Sequence, residues 1–127
     1  MSRVVIDASA VLALLNQENG SEEIARFIGN AVISTVNLSE VIAKLAEAGI
    51  PEEDIKQILS SLSMEVVSFN EEQALKAGML RPTTKSIGLS LGDRACLALG
   101  LSLNLPVLTT DRLWSSLSLD LEVRVVR

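Results

Sequence analysis

The feature that most constrains this chain is its alternation. Short runs of β-branched and aliphatic residues take turns with longer segments whose apolar residues recur at helical spacing, and no Pro-, Gly- or Ser-rich linker, repeat or low-complexity tract interrupts them. Consecutive strands joined through helices pair in parallel, and a parallel sheet needs helices over both of its faces. The pattern therefore predicts an α/β three-layer sandwich with a short parallel sheet of four or five strands, at residues 3–6, 31–35, 65–69, 106–109 and 123–126. Helices are expected from Ser9, from Ser21, from Asn37 to about Ala48, from Pro51 through Leu62, from Asn70, with Gln73 three residues on as its capping-box partner, to about Leu80, and from Ser90 to about Leu103. Each start carries a capping or first-turn residue. Residues 81–89, with Pro82, Thr83, Thr84 and Gly88, read as a surface loop.

Composition matters once the question turns to chemistry. The 127 residues suit a single domain over 1–127, and 48% of them are hydrophobic, ample for a core built from Leu, Val, Ile and Ala. There is no His, so a Ser-His-Asp triad, an imidazole base and an imidazole metal ligand are all excluded. A lone Cys96 makes neither an internal disulfide nor a multi-cysteine metal site. Residues 1–15 lack a signal peptide's uninterrupted apolar stretch because Asp7 stands among them, and the charge-free stretch 95–110 is too short and too polar to span a membrane. A soluble, cytoplasmic protein is the expectation. A net charge of −5 argues, by itself, against a nucleic-acid partner.

In an open parallel sheet, ligands bind beyond the carboxyl ends of the strands. Asp7 follows Val4-Val5-Ile6 and Asp111 follows Val107-Leu108-Thr109-Thr110, so both should emerge there. Glu40 and Asp93 stand three residues after the expected caps Asn37 and Ser90, and join them if those helices begin at the same edge. Each has a plainer explanation. Glu40 and Asp93 fit the returning half of a capping box, and Asp7 and Asp111 fit turn residues that bond their own backbone. Considered together, four converging carboxylates would raise one another's pKa values unless a hard cation sat among them. All-oxygen ligation suits Mg²⁺ or Mn²⁺, and such an ion activates water without any His.

The same segments carry a family resemblance. Val4-Val5-Ile6-Asp7-Ala8-Ser9-Ala10, Val36-Asn37-Leu38-Ser39-Glu40-Val41, Gly88-Leu89-Ser90-Leu91-Gly92-Asp93-Arg94-Ala95-Cys96-Leu97-Ala98 and Val107-Leu108-Thr109-Thr110-Asp111-Arg112-Leu113-Trp114 resemble, in order and spacing, the four acidic motifs of PIN-domain ribonucleases. The VapC type, the toxin half of bacterial toxin–antitoxin pairs, is the nearest pattern. The resemblance implies an endoribonuclease in which Asp7, Glu40, Asp93 and Asp111 hold Mg²⁺ or Mn²⁺, cutting RNA to a 5′-phosphate and a 3′-hydroxyl. Thr109 matches a hydroxyl position of the family and is expected to orient Asp7 or a water. Ser9 has the same option beside its role as a helix cap. The resemblance also implies a cognate antitoxin and a homodimer; the apolar faces of successive helices make residues 24–58 the expected antitoxin-docking stretch, with core packing as the plainer explanation of those faces. Setting the four site acids aside leaves 11 basic against 12 acidic residues, so the excess acid marks a cation site and RNA remains a compatible substrate.

Weaker candidates surround these. Arg94 and Arg112 adjoin site acids and either contact RNA phosphates or pair with surface acids; Arg81 and Lys85 are loop cations. Trp114 is expected to pack at the sheet edge and Cys96 to be a small core residue. One competing function is a phosphoacceptor switch domain, but that class needs a Lys after a late strand, where this chain has Thr109-Thr110-Asp111-Arg112. Another is a PIN-like module that only binds partners, against which stand the four retained acids.

Overall fold

The computed structural model describes residues 2–127; Met1, at the start of the expected domain, lies outside them. Five strands, β1 (Val4–Ile6), β2 (Ala31–Ser34), β3 (Glu65–Val67), β4 (Val107–Thr109) and β5 (Val123–Val125), form one sheet in the order β3-β2-β1-β4-β5. Every pairing is parallel. Among the described residues seven α-helices connect them: α1 (Ala8–Leu15), α2 (Ser21–Phe27), α3 (Thr35–Glu47), α4 (Glu52–Leu62), α5 (Glu71–Met79), α6 (Arg81–Thr84) and α7 (Leu91–Leu103).

The central strands are apolar at every position because both faces are covered. Val4, Val5 and Ile6 are fully buried, as are Val107 and Leu108. Alternation sends Val4 and Ile6 into one core with Val11, Ile24, Ile33, Val41 and Ile55, and Val5 into the other with Val32, Leu97, Leu99, Val107 and Trp114. Each such side chain removed from water contributes about 1.5–3 kcal/mol. The edge strand β3 is different, with Glu65 and Val66 exposed, as befits a short edge that discourages further pairing.

Chain order fixes where a site can form. From β1 the chain moves outward to β2 and β3, then crosses back past β1 to add β4 and β5 on the other side. β1 and β4 are therefore neighbours from which the chain departs in opposite directions, and such a switch point leaves a crevice at the carboxyl edge.

Four local expectations change. Helix α1 begins at Ala8 and its cap is Asp7, whose carboxylate accepts from the Ala10 N–H; Ser9 lies inside the helix. Helix α3 begins at Thr35, capped by Ser34, so Asn37 is a buried helical residue instead of a cap. Asn70 does cap α5, but Gln73 donates to Ser102 on α7 (2.7 Å) instead of returning to the cap. Residues 81–89 are not a free loop: α6 is followed by a 3₁₀ turn, Lys85–Ile87, because the Thr83 and Thr84 hydroxyls bond the Leu80 carbonyl and Thr84 and Leu89 are buried.

Candidate active site

A cleft of about 380 Å³ opens at the carboxyl edge of β1 and β4, lined by Asp7, Ser9, Leu12, Asn37, Glu40, Lys44, Asp93 and Asp111, among others. The four acids singled out from the sequence all line it, each from a different part of the fold. Asp7 ends β1, Asp111 follows β4, Glu40 projects from α3 and Asp93 from the first turn of α7.

Asp7 is the most deeply set, 4% exposed. The Thr109 hydroxyl donates to its Oδ2 (2.6 Å), the Ser9 hydroxyl to its Oδ1 (2.8 Å), and the Ala10 N–H to the same Oδ1 (2.9 Å). Thr109 Oγ1 also accepts from the Asp111 N–H (3.1 Å), joining the turn after β4 to the acid after β1. Burial pushes the Asp7 carboxyl up to about 6, against the pull of those three hydrogen bonds; the Asp93 charge adds a smaller upward push.

Asp93 makes the expected capping box: Ser90 N–H donates to its Oδ2 (2.9 Å), and the Asp93 N–H donates to Ser90 Oγ (3.2 Å). Its structural role is real and leaves Oδ1 uncommitted. Asp111 caps the 3₁₀ turn Arg112–Ser116, accepting from the Leu113 N–H (2.9 Å). The capping and cleft-lining readings of these acids thus hold together.

Glu40 is exposed and seated against α7. Asn37, one turn earlier on α3 and 1% exposed, donates through Nδ2 to Glu40 Oε1 and to the Gly92 carbonyl, both at 2.9 Å. A methyl group at Gly92 would collide with the Glu40 carboxylate, so glycine here makes the seat. Asn37, Lys44 and Glu47 are cleft residues not singled out as such from the sequence. Their spacing from Glu40 on one helical face was the available signal.

The remaining candidates separate cleanly. Arg94 turns away from the cleft and donates to the Ala77 carbonyl (3.0 Å), tying α7 to α5. Arg81, Lys85 and Arg112 are exposed. Trp114 is 1% exposed in the core beneath the sheet, as expected of a packing residue. Cys96 is fully buried, and burial, then the nearby Asp7, Asp93 and Glu40 charges, raise its thiol well above the usual range, so it stays protonated and inert. In the stretch 24–58, Ile24, Val41, Leu45 and Ile55 belong to the protein's own core.

Among the described residues, no Lys or Arg forms an ion pair with any of the four acids, and no three of the acids stand as a ready-made cation cage. The residues nonetheless suit a hard divalent ion. The set is all oxygen, Asp7 is a buried carboxylate without a paired cation, and Asn37 Oδ1 is a buried acceptor with no donor. No described helix is long and apolar enough to cross a membrane.

An all-parallel five-stranded sandwich with an acid-lined cleft at its switch point is a PIN-like α/β fold. The chain belongs to the PIN domain family, whose model matches residues 4–118. Solved structures share its fold at low identity. DNA-bound VapBC from Salmonella typhimurium is 18% identical, with a TM-score of 0.74 and 98% of each chain covered. VapBC-1 from nontypeable Haemophilus influenzae is 21% identical, with a TM-score of 0.69 and 96% of each chain covered. VapBC-5 from Mycobacterium tuberculosis is 21% identical, with a TM-score of 0.63 over 100% of this chain and 99% of that one. No curated protein matches the chain in sequence.

Proposed function

We propose that the chain is a metal-dependent endoribonuclease that hydrolyses RNA phosphodiester bonds, the toxin half of a type II toxin–antitoxin pair, acting in the cytoplasm as one domain over residues 1–127. The observation that carries this is the convergence of Asp7, Glu40, Asp93 and Asp111, from four elements, on one cleft with no cationic partner for any of them among the described residues. Membership of the PIN domain family and the likeness to VapC toxins in VapBC complexes support it. Those likenesses also support a cognate antitoxin as partner, and with it we propose a homodimer on the resemblance of the four motifs.

The four carboxylates would hold Mg²⁺ or Mn²⁺, which when bound lowers the pKa of water and polarises a phosphoryl oxygen. The chain's own residues prepare the place. Ser9 and Thr109 fix both oxygens of Asp7, the Ser90–Asp93 box fixes Asp93 at the helix start, and Leu12 and Ala43 give the cleft an apolar wall. Lys44 supplies a positive charge in the cleft lining for a substrate phosphate.

RNA cleavage assayed with Mg²⁺ or Mn²⁺, with EDTA, and with Asp7→Asn and Asp93→Asn tests the proposal. Cleavage that needs the ion and falls in both variants is expected; cleavage indifferent to EDTA, or equal in wild type and variants, overturns it.

A further inference from the structure

The α3 side of the cleft contains a buried polar group that the four acids do not explain. Asn37 is 1% exposed, and its two hydrogen-bonding neighbours, the Glu40 carboxylate and the Gly92 carbonyl, can only accept. The amide nitrogen must therefore face them, which turns Oδ1 the other way. There it finds no donor. A buried amide oxygen without a partner is destabilising, and here it sits in a residue that lines the cleft. The arrangement is also crowded by design: Asn37 binds α3 to α7 through the carbonyl of the very residue whose missing side chain makes room for Glu40.

We propose that Asn37 is a positioning residue of the cation site. Its Nδ2 pins Glu40 Oε1 against α7, so that Glu40 offers its carboxylate to the cleft in one orientation. Asn37 does not itself ligate; it acts through Glu40. The inference rests on the metal-dependent function proposed above, and extends it from the acids to an amide that none of the sequence motifs marks as acidic.

Mn²⁺ binding, followed by the electron-paramagnetic-resonance signal of the free ion, tests it without any substrate. Wild type should bind, Glu40→Gln should bind more weakly, and Asn37→Ala should lose about tenfold in affinity, the usual scale for a group that orients a metal ligand. Asn37→Ser, which keeps a short donor for the buried Gly92 carbonyl, carries the same expectation if Asn37→Ala fails to fold. Gly92→Ala gives a second approach: alanine favours the helix, the side chain in its way is the flexible end of Glu40, and the variant should fold yet bind Mn²⁺ more weakly. Combining Asn37→Ala with Gly92→Ala should cost little more than either alone, because both act on one seat. Melting in EDTA confirms folding in each case. A folded Asn37 variant that binds Mn²⁺ as wild type does would overturn this inference alone; a wild type that binds no Mn²⁺ would overturn the metal-dependent function and this inference with it.

Discussion

On the β1–β4 side of the cleft, Asp7 is 4% exposed and both of its carboxylate oxygens are held by donors. On the α3–α7 side, Glu40 is exposed, Asp93 is half-buried in a helix cap, and the one deeply buried group is a neutral amide with a vacant acceptor. The difference is thermodynamic. A helix start welcomes an acid, so Asp93 sits where the chain gains stability from it. Asp7 also caps a helix, but its charge is removed from water to a depth that three hydrogen bonds do not offset, and its carboxyl rises from 3.8 to about 6. One wall thus holds Asp7 at a cost to stability, and the other holds Asp93 at a gain.

The largest effect expected from this contrast is a divergence between Asp7→Asn and Asp93→Asn. Both should reduce RNA cleavage, by about a hundredfold or more if each helps hold the charge that stabilises the transition state. In EDTA at pH 7 their stabilities should part. Asp7→Asn removes a buried charge and should stabilise the fold, by less than the roughly 3 kcal/mol that a shift of about two pH units represents, because its amide nitrogen no longer accepts one of the three donors. Asp93→Asn should destabilise it by about 0.5 kcal/mol through the lost helix-terminus charge. Urea unfolding of both variants measures this, and a destabilised Asp7→Asn would break the comparison.

The same asymmetry has a pH signature. Because the folded-state pKa of Asp7 lies above the unfolded value, the folded protein keeps a proton that the unfolded chain releases. Its contribution to stability is present below about pH 4, is lost as pH rises to about 6, and changes no further above that, a fall of about 3 kcal/mol in all. Unfolding in EDTA between pH 4 and 7 should show this decline in wild type and lose it in Asp7→Asn.

Thr109→Val sharpens the contrast on one side. It removes the hydroxyl that donates to Asp7 and accepts from the Asp111 N–H, and should cost about 1–3 kcal/mol while moving the Asp7 transition to higher pH. Ser90→Ala is the smallest change. It deletes one half of the α7 capping box and should cost about 1 kcal/mol, leaving the Asp7 pH window where it was.

How much of this was legible beforehand follows from the range of each interaction. The Ser90–Asp93 box spans three residues and is written in the sequence directly. The Asp7–Thr109 bond joins residues 102 apart, and only the resemblance of the motifs pointed to it. Asn37 shows the opposite failure. A good cap residue followed by a helical pattern reads as a cap, yet Ser34, also a good cap, lies three residues earlier and starts the helix first, which carries Asn37 inside and toward Gly92. Residues 81–89 misled for a related reason: Pro82 and two threonines are turn formers in isolation, but Pro is tolerated in the first turn of a helix, and burial of Thr84 and Leu89 closes the segment down.

The sequence by itself determined the layered α/β architecture, because alternating apolar strands and amphipathic helices have no other way to bury their faces, and it determined which acids stand at the ends of β1 and β4. Tertiary structure decided the rest. Packing of α3 on α7 set Glu40 against Gly92 and left Asn37 with a spare acceptor, and depth beneath the sheet edge raised the Asp7 carboxyl above its ordinary value. Both depend on desolvation and on contacts between distant segments, which no local pattern of residues encodes.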